Sequence, residues 1–597
     1  MCGIFAVVGN VVSEQAAGSK VFAGLKRLEY RGYDSWGVAV VTSTSLAIEK
    51  RIGKISDAAD LQLPPSHVAI GHTRWATHGG VTEINAHPHL ATNGSFAVAQ
   101  NGVVENYLEL KKQLTEQGYQ FITQTDTEVI VRLIEKVRIT NSSFSLRKVI
   151  LSAFSQLKGR NTIVVLEQLG KVYAARNGSP LLVGRCSRSQ EYFCSSDVLS
   201  LAKEADEYLV VENGQLIELQ PGKCQLFDCA TGQELQLRFQ PLQIQQSEAS
   251  KGKFPHYMLK EIFDSPAVIR QVICQKKAKL QELAQIITPA RQVYCIGSGT
   301  AGIAAAQMAY LLRNLAKIPA VALVGADAAE FIEMLSPDDV LLAPSQSGET
   351  ADVLEMLELA KQKGAKIVTY VNMPASSMTR LADLSFLANA GPEICVMSTK
   401  VFTSQICWAY LVASLVASQY DSALDRLEQL AVEIERYLQD NASRQQLQKL
   451  AEWLSTQSNL FLLAKGTNFQ IIREGMVKLI EGAYLHAQAI PAGDLKHYAI
   501  TLIEKGTPVL VLTSNDGSRS DVLTAAQEVQ SRGATVVHIG PQLSLSHFPY
   551  QVDVPDQGEL TFAMNLLPLQ LLAYELAVKL GHDVDHPRNI AKSVTVK

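Results

Sequence analysis

The sequence predicts a layered α+β domain over residues 2–220, followed by two tandem α/β domains with parallel sheets near 279–418 and 451–587. Three observations predict this organisation. Short β-branched runs alternate with Gly and Asn turns in the first part, the period fades over 221–278, and the remainder contains an internal repeat.

In the first part, V-A-I-G-H-T-R-W, F-A-V-A-Q-N-G-V-V and N-T-I-V-V-L-E read as strands bounded by turns, with helices such as 126–137 between them. Layered sheets with helices follow. From 221 to 278 the chain turns Gln-rich and then enters the helix-like K-G-K-F-P-H-Y-M-L-K-E-I-F, so a linker is expected there.

The repeat aligns D-D-V-L-L-A-P-S-Q-S-G-E-T-A-D-V-L with T-P-V-L-V-L-T-S-N-D-G-S-R-S-D-V-L, placing Ser345 over Ser514, Gly348 over Gly517 and Asp352 over Asp521. Each copy opens on an apolar run ending in Gly-Thr, at Thr300 and Thr467, and closes with A-K-I-V-T-Y-V or A-T-V-V-H-I. Strand, turn, helix, strand marks a parallel α/β sheet. The period is too long for a solenoid, which leaves two tandem domains.

A length of 597 residues exceeds one core, and the prior of about 100–200 residues per domain gives several units. Apolar residues at 47% and charged residues at 19% are those of globular protein rather than disorder. A net charge of -4 without a dense Lys/Arg cluster argues against nucleic acid as a partner. The nine cysteines are scattered, without C-x-x-C pairs, so neither a disulfide framework nor a zinc site is expected. No basic leader precedes the apolar start, and no uninterrupted apolar run reaches a membrane span. A cytoplasmic enzyme in a reducing compartment is the expectation, with no membrane partner.

Cys2 follows the initiator Met. Removal of Met1 would expose an α-amine whose ordinary pKa of about 7.7–8 suits it to accept a proton beside its own thiol. A small buried residue opening a strand is the other reading of Cys2 taken alone. Arg74 and Asp126 taken alone are surface charges, and Trp75 is core. His78, His87 and His89 look like metal ligands, but Pro88 stands between two of them and no carboxylate or Cys cluster completes a site. In the second part S-Q-S-G-E-T, between strand and helix, offers hydroxyls and N–H groups to a phosphate, or is simply an N-cap. Its counterpart S-N-D-G-S-R has Arg519 where Thr350 stands, so one copy is expected to keep the phosphate site. Glu474, Lys478 and Glu481 share one helical face, as catalytic groups or as an ion-pair stripe.

M-C-G-I-F, L-x-Y-R-G-Y-D-S, G-H-T-R-W-A-T-H-G, N-A-H-P-H, Q-N-G and T-D-T-E-V, in that order, closely resemble class II glutamine amidotransferases of the N-terminal-nucleophile fold. The resemblance implies that Cys2 attacks the glutamine amide. Asn101 and the Gly102 N–H would form the oxyanion hole. Arg74 would hold the substrate carboxylate, Trp75, Thr77 and His78 would stand nearby, and Asp126 would take the α-ammonium.

E-G-M-V-K-L-I-E-G-A-Y-L-H-A, A-G-D-L-K-H, M-S-T-K, H-Y-M-L-K-E-I and the tail P-R-N-I-A-K-S-V-T-V-K resemble the isomerase half of the glutamine:fructose-6-phosphate aminotransferase family. The compact linker resembles the bacterial form, which is not expected to bind the UDP-sugar inhibitor. By this resemblance Thr300, Ser345, Gln346, Ser347, Thr350 and Ser398 would hold the sugar phosphate. Lys592 would form a Schiff base with the open ketose, Glu481 would move the proton between C1 and C2, Lys478 would support it, and His497 would help ring opening from a partner subunit.

Three departures bear on the sugar. The family usually reads G-T-S where Gly299-Thr300-Ala301 stands, Gly-Pro where Tyr498-Ala499 follows His497, and E-F-R-Y where Glu330-Phe331-Ile332-Glu333 stands. The implied activity is amination and isomerisation of fructose 6-phosphate by a homodimer without metal or cofactor. A paralogue acting on another ketose or amino-sugar phosphate, and a non-catalytic sugar-phosphate sensor, are the rivals; retention of Lys592, Glu481 and His497 speaks against the sensor.

Overall fold

The computed structural model describes residues 2–10, 17–43, 45–242, 250–543 and 548–595. Two compact units emerge, Met1–Glu248 with Ala591–Lys597, and Ala249–Ile590.

The first unit is built on two antiparallel sheets of eight and seven strands. Strand Gly3–Val8 runs between Val68–Arg74 and Glu191–Ser195 in the first sheet. Its side chains alternate, as a strand requires. Ile4, Ala6 and Val8 enter a core shared with Ala97, Ala99, Val164 and Leu166 of the second sheet, while Phe5 turns to the helix Ala17–Arg27, against Gly24. On the far side of the second sheet, Phe96, Val98, Ile163 and Val165 pack against Val129, Ile130, Leu133 and Ile134 of the helix Thr127–Thr140. The layers are therefore helix, sheet, sheet, helix.

Regular structure occupies much of the stretch 221–278. Lys223–Asp228 pairs with Gln215–Gln220, and helices span Tyr257–Phe263 and Ser265–Ile273. Asp585 accepts from the N–H groups of Tyr257 and Met258 at 2.9 Å each, and Glu261 accepts from those of Ile394 and Cys395. These contacts tie the H-Y-M-L-K-E-I motif into the second unit.

The second unit holds two five-stranded parallel sheets. The strands of the first are Gln292–Gly297, Ala320–Val324, Asp339–Ser345, Lys366–Val371 and Leu384–Leu387, arranged 2-1-3-4-5. Those of the second, Asn459–Ala464, His486–Pro491, Pro508–Leu512, Thr535–Gly540 and Tyr550–Asp553, take the same order. The repeat is thus one topology used twice. In this order the crevice beyond the C-terminal ends of strands 1 and 3 is where ligands bind.

One apolar core joins both sheets. Through it runs the helix Gly558–Lys579, which is long and apolar enough to cross a membrane but has 94% of its most apolar window buried inside the protein. Of its polar side chains, Asn565 donates to Asn468 and to the Thr513 carbonyl, and Glu575 accepts from Arg444 and Gln448, while the oxygens of Asn565 and Gln570 are buried without a partner.

Candidate functional site

In the first unit, antiparallel pairing of Gly3 with Thr73 brings Cys2 to the end of the strand that carries Arg74. The Trp75 N–H donates to Cys2 Sγ at 3.4 Å, and the thiol lies 3.6 Å from the Trp75 carbonyl. Burial pushes the thiol above its ordinary pKa, opposed by the Trp75 N–H and by Arg74. The Cys2 carbonyl is held by Asn101 Nδ2 at 3.1 Å and Arg31 Nε at 3.3 Å. Only one of the two Asn101 amide protons is needed for that bond. Gly102 adopts φ +123°, and a Cβ there would lie 2.0 Å from the Arg160 carbonyl oxygen, so no other residue fits at this position.

Arg74 is buried and donates to the carbonyls of His78, Gly79 and Gly80, which fixes the turn that follows it. Thr77 and His78 lie on that turn, with Thr77 Oγ1 3.4 Å from His78 Nδ1 and the His78 ring edge-on to Tyr107. Asp126 immediately precedes the helix Thr127–Thr140 and accepts from the Val104 N–H at 2.8 Å. Its carboxyl is raised by burial, with that N–H and Arg74 opposing.

The three histidines of the sequence part company. His78 faces Tyr107, whereas His87 stacks on His72 with centroids 4.2 Å apart and lies 4.7 Å from the His89 ring. Thr127 Oγ1 lies 3.1 Å from His87 Nε2, and Thr125 Oγ1 3.0 Å from His89 Nε2. Burial depresses all three cluster residues, His72 to about 3, and keeps them uncharged. His72 is a participant that sequence reasoning missed; its place beside His87 depends on a long-range contact.

In the second unit, parallel pairing of Gln292–Gly297 with Asp339–Ser345 sets the turn at Gly299-Thr300 beside that at Ser345–Thr350. Ser345 Oγ accepts from the Gly348 N–H at 2.8 Å, and Ser347 Oγ from that of Glu349 at 3.2 Å. Gln346 offers its carbonyl to the Met373 N–H, and Thr350 stands at the N-cap of Ala351–Gln362 with no capping side-chain bond. Ser298, just before Gly299, has a buried hydroxyl without a partner. Ser398 donates to Glu393, whose other oxygen receives the Thr399 and Val401 N–H groups.

The equivalent turn of the second copy is occupied differently. Asn468 donates to Ser514, Asp516 accepts from the Ser518 N–H and hydroxyl, and Arg519 is spent on the carbonyls of Pro541 and Gln542. A carboxylate sits where a phosphate would need donors.

Thr300 reaches across to the helix Asn468–Ala483. Its hydroxyl donates to Glu474 at 3.2 Å and accepts from Lys478 Nζ at 3.2 Å. Lys478 also donates to Glu481 at 2.5 Å. The shared face expected from the spacing is therefore real, and it points inward. Burial pushes Glu474 up to about 7, with Lys478 opposing. Burial alone would lower Lys478, but Glu474 and Glu481 outweigh it and hold the ammonium charged. Glu474, to which the resemblance gave no role, stands on the face that its i to i+4 spacing from Lys478 implied.

Glu481 also lines a cleft of about 580 Å³ with Tyr484, His486, Arg588 and Asn589. His497 lies exposed in the short turn Leu495–His497, apart from these groups. Lys592 belongs to the tail that packs on the first unit, where Ser179 Oγ and Thr595 Oγ1 lie 3.2 Å apart. Among the described residues no group of three or more His, Cys, Asp or Glu side chains is arranged to hold a metal ion.

Residues 286–415 and 453–580 each match the SIS domain, and residues 54–142 match the glutamine amidotransferase domain. The chain is 35% identical over 617 residues to a glutamine–fructose-6-phosphate aminotransferase (isomerizing) from Pyrococcus horikoshii and 34% identical over 606 residues to one from Aquifex aeolicus, with all of each chain covered. The second unit resembles the C-terminal domain of glucosamine-fructose-6-phosphate aminotransferase from Francisella tularensis, at 28% identity and a TM-score of 0.51, covering 57% of this chain and 100% of that one. With two parallel sheets of one topology, a strand-end cysteine whose carbonyl is held by Asn101 and Arg31, and full-length likeness above 30%, the chain belongs to the glutamine–fructose-6-phosphate aminotransferase (isomerizing) family.

Proposed function

We propose that the protein converts glutamine and fructose 6-phosphate to glutamate and glucosamine 6-phosphate. The observation that carries this reading is the buried chain Glu474–Thr300–Lys478–Glu481, which links a phosphate-type turn to a proton-carrying carboxylate. Cys2 attacks the glutamine amide; the free Asn101 amide proton and the Gly102 N–H stabilise the oxyanion. Arg74 and Asp126 receive the carboxylate and the α-ammonium of glutamine, with Thr77 and His78 beside them. Ammonia passes internally to the sugar, and Trp75, whose N–H already holds the nucleophile, gates its release.

The first copy of the repeat holds the sugar phosphate through Ser345, Gln346, Ser347 and Thr350, with Thr300 and Ser398 lining the site. Lys592 forms the imine with the open ketose, a reaction amines undergo with carbonyls. Glu481 carries the proton between C1 and C2, and Lys478 fixes its position and charge. The exposed His497 serves the site of a second copy, which makes the working form a homodimer. All nine cysteines are free thiols, in keeping with a reducing, cytoplasmic setting. The functional segments are the amidotransferase domain 2–220, the connecting stretch 221–278, the isomerase domains 279–418 and 451–587, and the tail 588–597.

A second reading, another ketose phosphate as substrate, is favoured by Ala301 and by the exposed Tyr498 after His497. Product analysis after incubation with glutamine and a panel of ketose phosphates tests both. Glucosamine 6-phosphate formed by the parent and lost in Cys2→Ala, with sugar isomerisation retained, supports the first reading. A different amino sugar formed in preference overturns it.

A further inference from the structure

A second cleft, of about 570 Å³, opens in the first unit beside His89 of the histidine cluster, and Cys2 is not among its lining residues. Ile48 and Lys50 of an edge strand, Ile84 and Leu90, Ile122 and Arg132 are among the residues that line it. Its mouth is apolar and wet: Ile84, Leu90 and Ile122 are 51%, 41% and 69% exposed. Single exposed apolar residues need no explanation, but three around one concavity do.

The charges of the cleft are paired except at Lys50 and at Glu83 on its rim. Arg132 binds Glu128 and Glu135, Glu128 also receives the Ile122 and Thr123 N–H groups, and Glu49 binds Arg51. Glu83 is exposed at the rim, where water screens it. Lys50 is partly buried and makes no hydrogen bond or ion pair among the described residues. It stands opposite Gly37, where a Cβ would lie 2.3 Å from the His87 carbonyl oxygen and 3.1 Å from the Lys50 stem, so the glycine leaves room for the lysine. Burial pulls its amine down to about 8, with Glu128 opposing. An ammonium partly removed from water, on which Glu128 acts without an ion-pair contact, is incompletely compensated, and a bound anion relieves that.

The walls are set before any ligand arrives. His89 is fixed through Thr125 and Thr123, whose hydroxyls lie 3.0 Å apart, and Thr123 is fixed in turn by Glu128. A preformed apolar concavity with one placed polar group is how small ligands are bound.

We propose that this cleft is a ligand site, separate from the one at Cys2, for a small amphiphilic anion: a carboxylate or phosphate monoester whose charged end rests on Lys50 and whose apolar chain lies against Ile84, Leu90 and Ile122.

Calorimetric titration of the full chain with octanoate, octyl phosphate and octylamine tests it. One anion equivalent binds per chain, the stronger of the two anions identifying the headgroup, and octylamine does not bind. Lys50→Met weakens the anion by at least about tenfold, the loss of a charge-assisted hydrogen bond, and Lys50→Arg retains it. Ile122→Glu, at a position too exposed to affect folding, weakens it as well and serves if Lys50→Met does not fold. Glutamine hydrolysis by Lys50→Met reports that the unit is intact. The proposal is overturned if neither anion binds, if octylamine binds equally, or if both Lys50→Met and Ile122→Glu bind as the parent does.

Discussion

Lys478 and Glu474 form an ion pair with 3.3 Å between Nζ and Oε1, and neither side chain has any solvent exposure. One helical turn apart on Asn468–Ala483, they bring an ion pair wholly inside the protein.

Removing one member of this pair should be far worse than removing both. Lys478→Met leaves a buried carboxylate without its counter-charge, which costs about 3–5 kcal/mol in comparable cases. The double variant with Glu474→Gln should recover part of that loss, a coupling that a double-mutant cycle measures. Urea unfolding gives the stabilities, and turnover of sugar phosphate should fall in all three variants while glutamine hydrolysis persists. Additive effects of the two single changes would contradict the pairing.

Gly102→Ala should abolish glutamine hydrolysis. The backbone there is at φ +123°, costly for alanine by about 1–3 kcal/mol, and the new methyl meets the Arg160 carbonyl at 2.0 Å. The strand end bearing Asn101 must then shift. Hydrolysis within threefold of the parent would mean that Gly102 does not fix the oxyanion side.

Ala301 lies in the first turn of the helix Gly299–Asn314, at the phosphate end of the proposed sugar site. Ala301→Ser adds one hydroxyl to a charged ligand, worth about 1.5–3 kcal/mol. Because phosphate is remote from C1 and C2, the gain should be uniform binding: KM for fructose 6-phosphate falls about tenfold and kcat hardly moves. An unchanged KM, with a preference for another ketose phosphate, would favour the second substrate reading.

The histidine cluster predicts acid sensitivity of the first unit. His72, His87 and His89 are held below 6.5 when folded, His72 at about 3. The unfolded chain takes up their protons first, so their contribution is intact above pH 6.5 and is lost as pH falls towards the folded values. Each contributes a slope of up to about 1.4 kcal/mol per pH unit. Urea midpoints of the full chain, followed through the buried Trp36, should drop between pH 7.5 and 5.5, and a flat profile would contradict the buried, uncharged state.

What the sequence made legible is what local pattern encodes. The alignment of Ser345 with Ser514 became two sheets of identical strand order, and the helix expected from Asp126 starts at Thr127. The face shared by Glu474, Lys478 and Glu481 was also visible, since 3.6 residues per turn dictates it. Its partner Thr300, 174 residues from Glu474, was not, because no periodicity reports a contact between distant segments. The same holds for His72 against His87. In 221–278 the strands Glu234–Leu235, paired with Lys223–Asp228, and Gln240–Pro241, paired with Glu207–Val210, have two residues each, too short to show alternation. The turn Ser514–Arg519 shows the converse: its spacing matches the first copy, but Asp516 turns an anion site into a self-bonded loop.

The buried helix Gly558–Lys579 also governs the order of events during synthesis. It packs against the helix Asn468–Ala483 and joins the core that both parallel sheets share, so that core cannot close until this late segment leaves the ribosome. The first unit waits as well, since the tail containing Thr595 completes it. Domains often mature one after another as they emerge. Here a nascent chain halted before residue 558 would display a long apolar trough on two unfinished sheets, a feature that chaperones and proteases recognise, and quality control would therefore discard incomplete copies before either half could act alone.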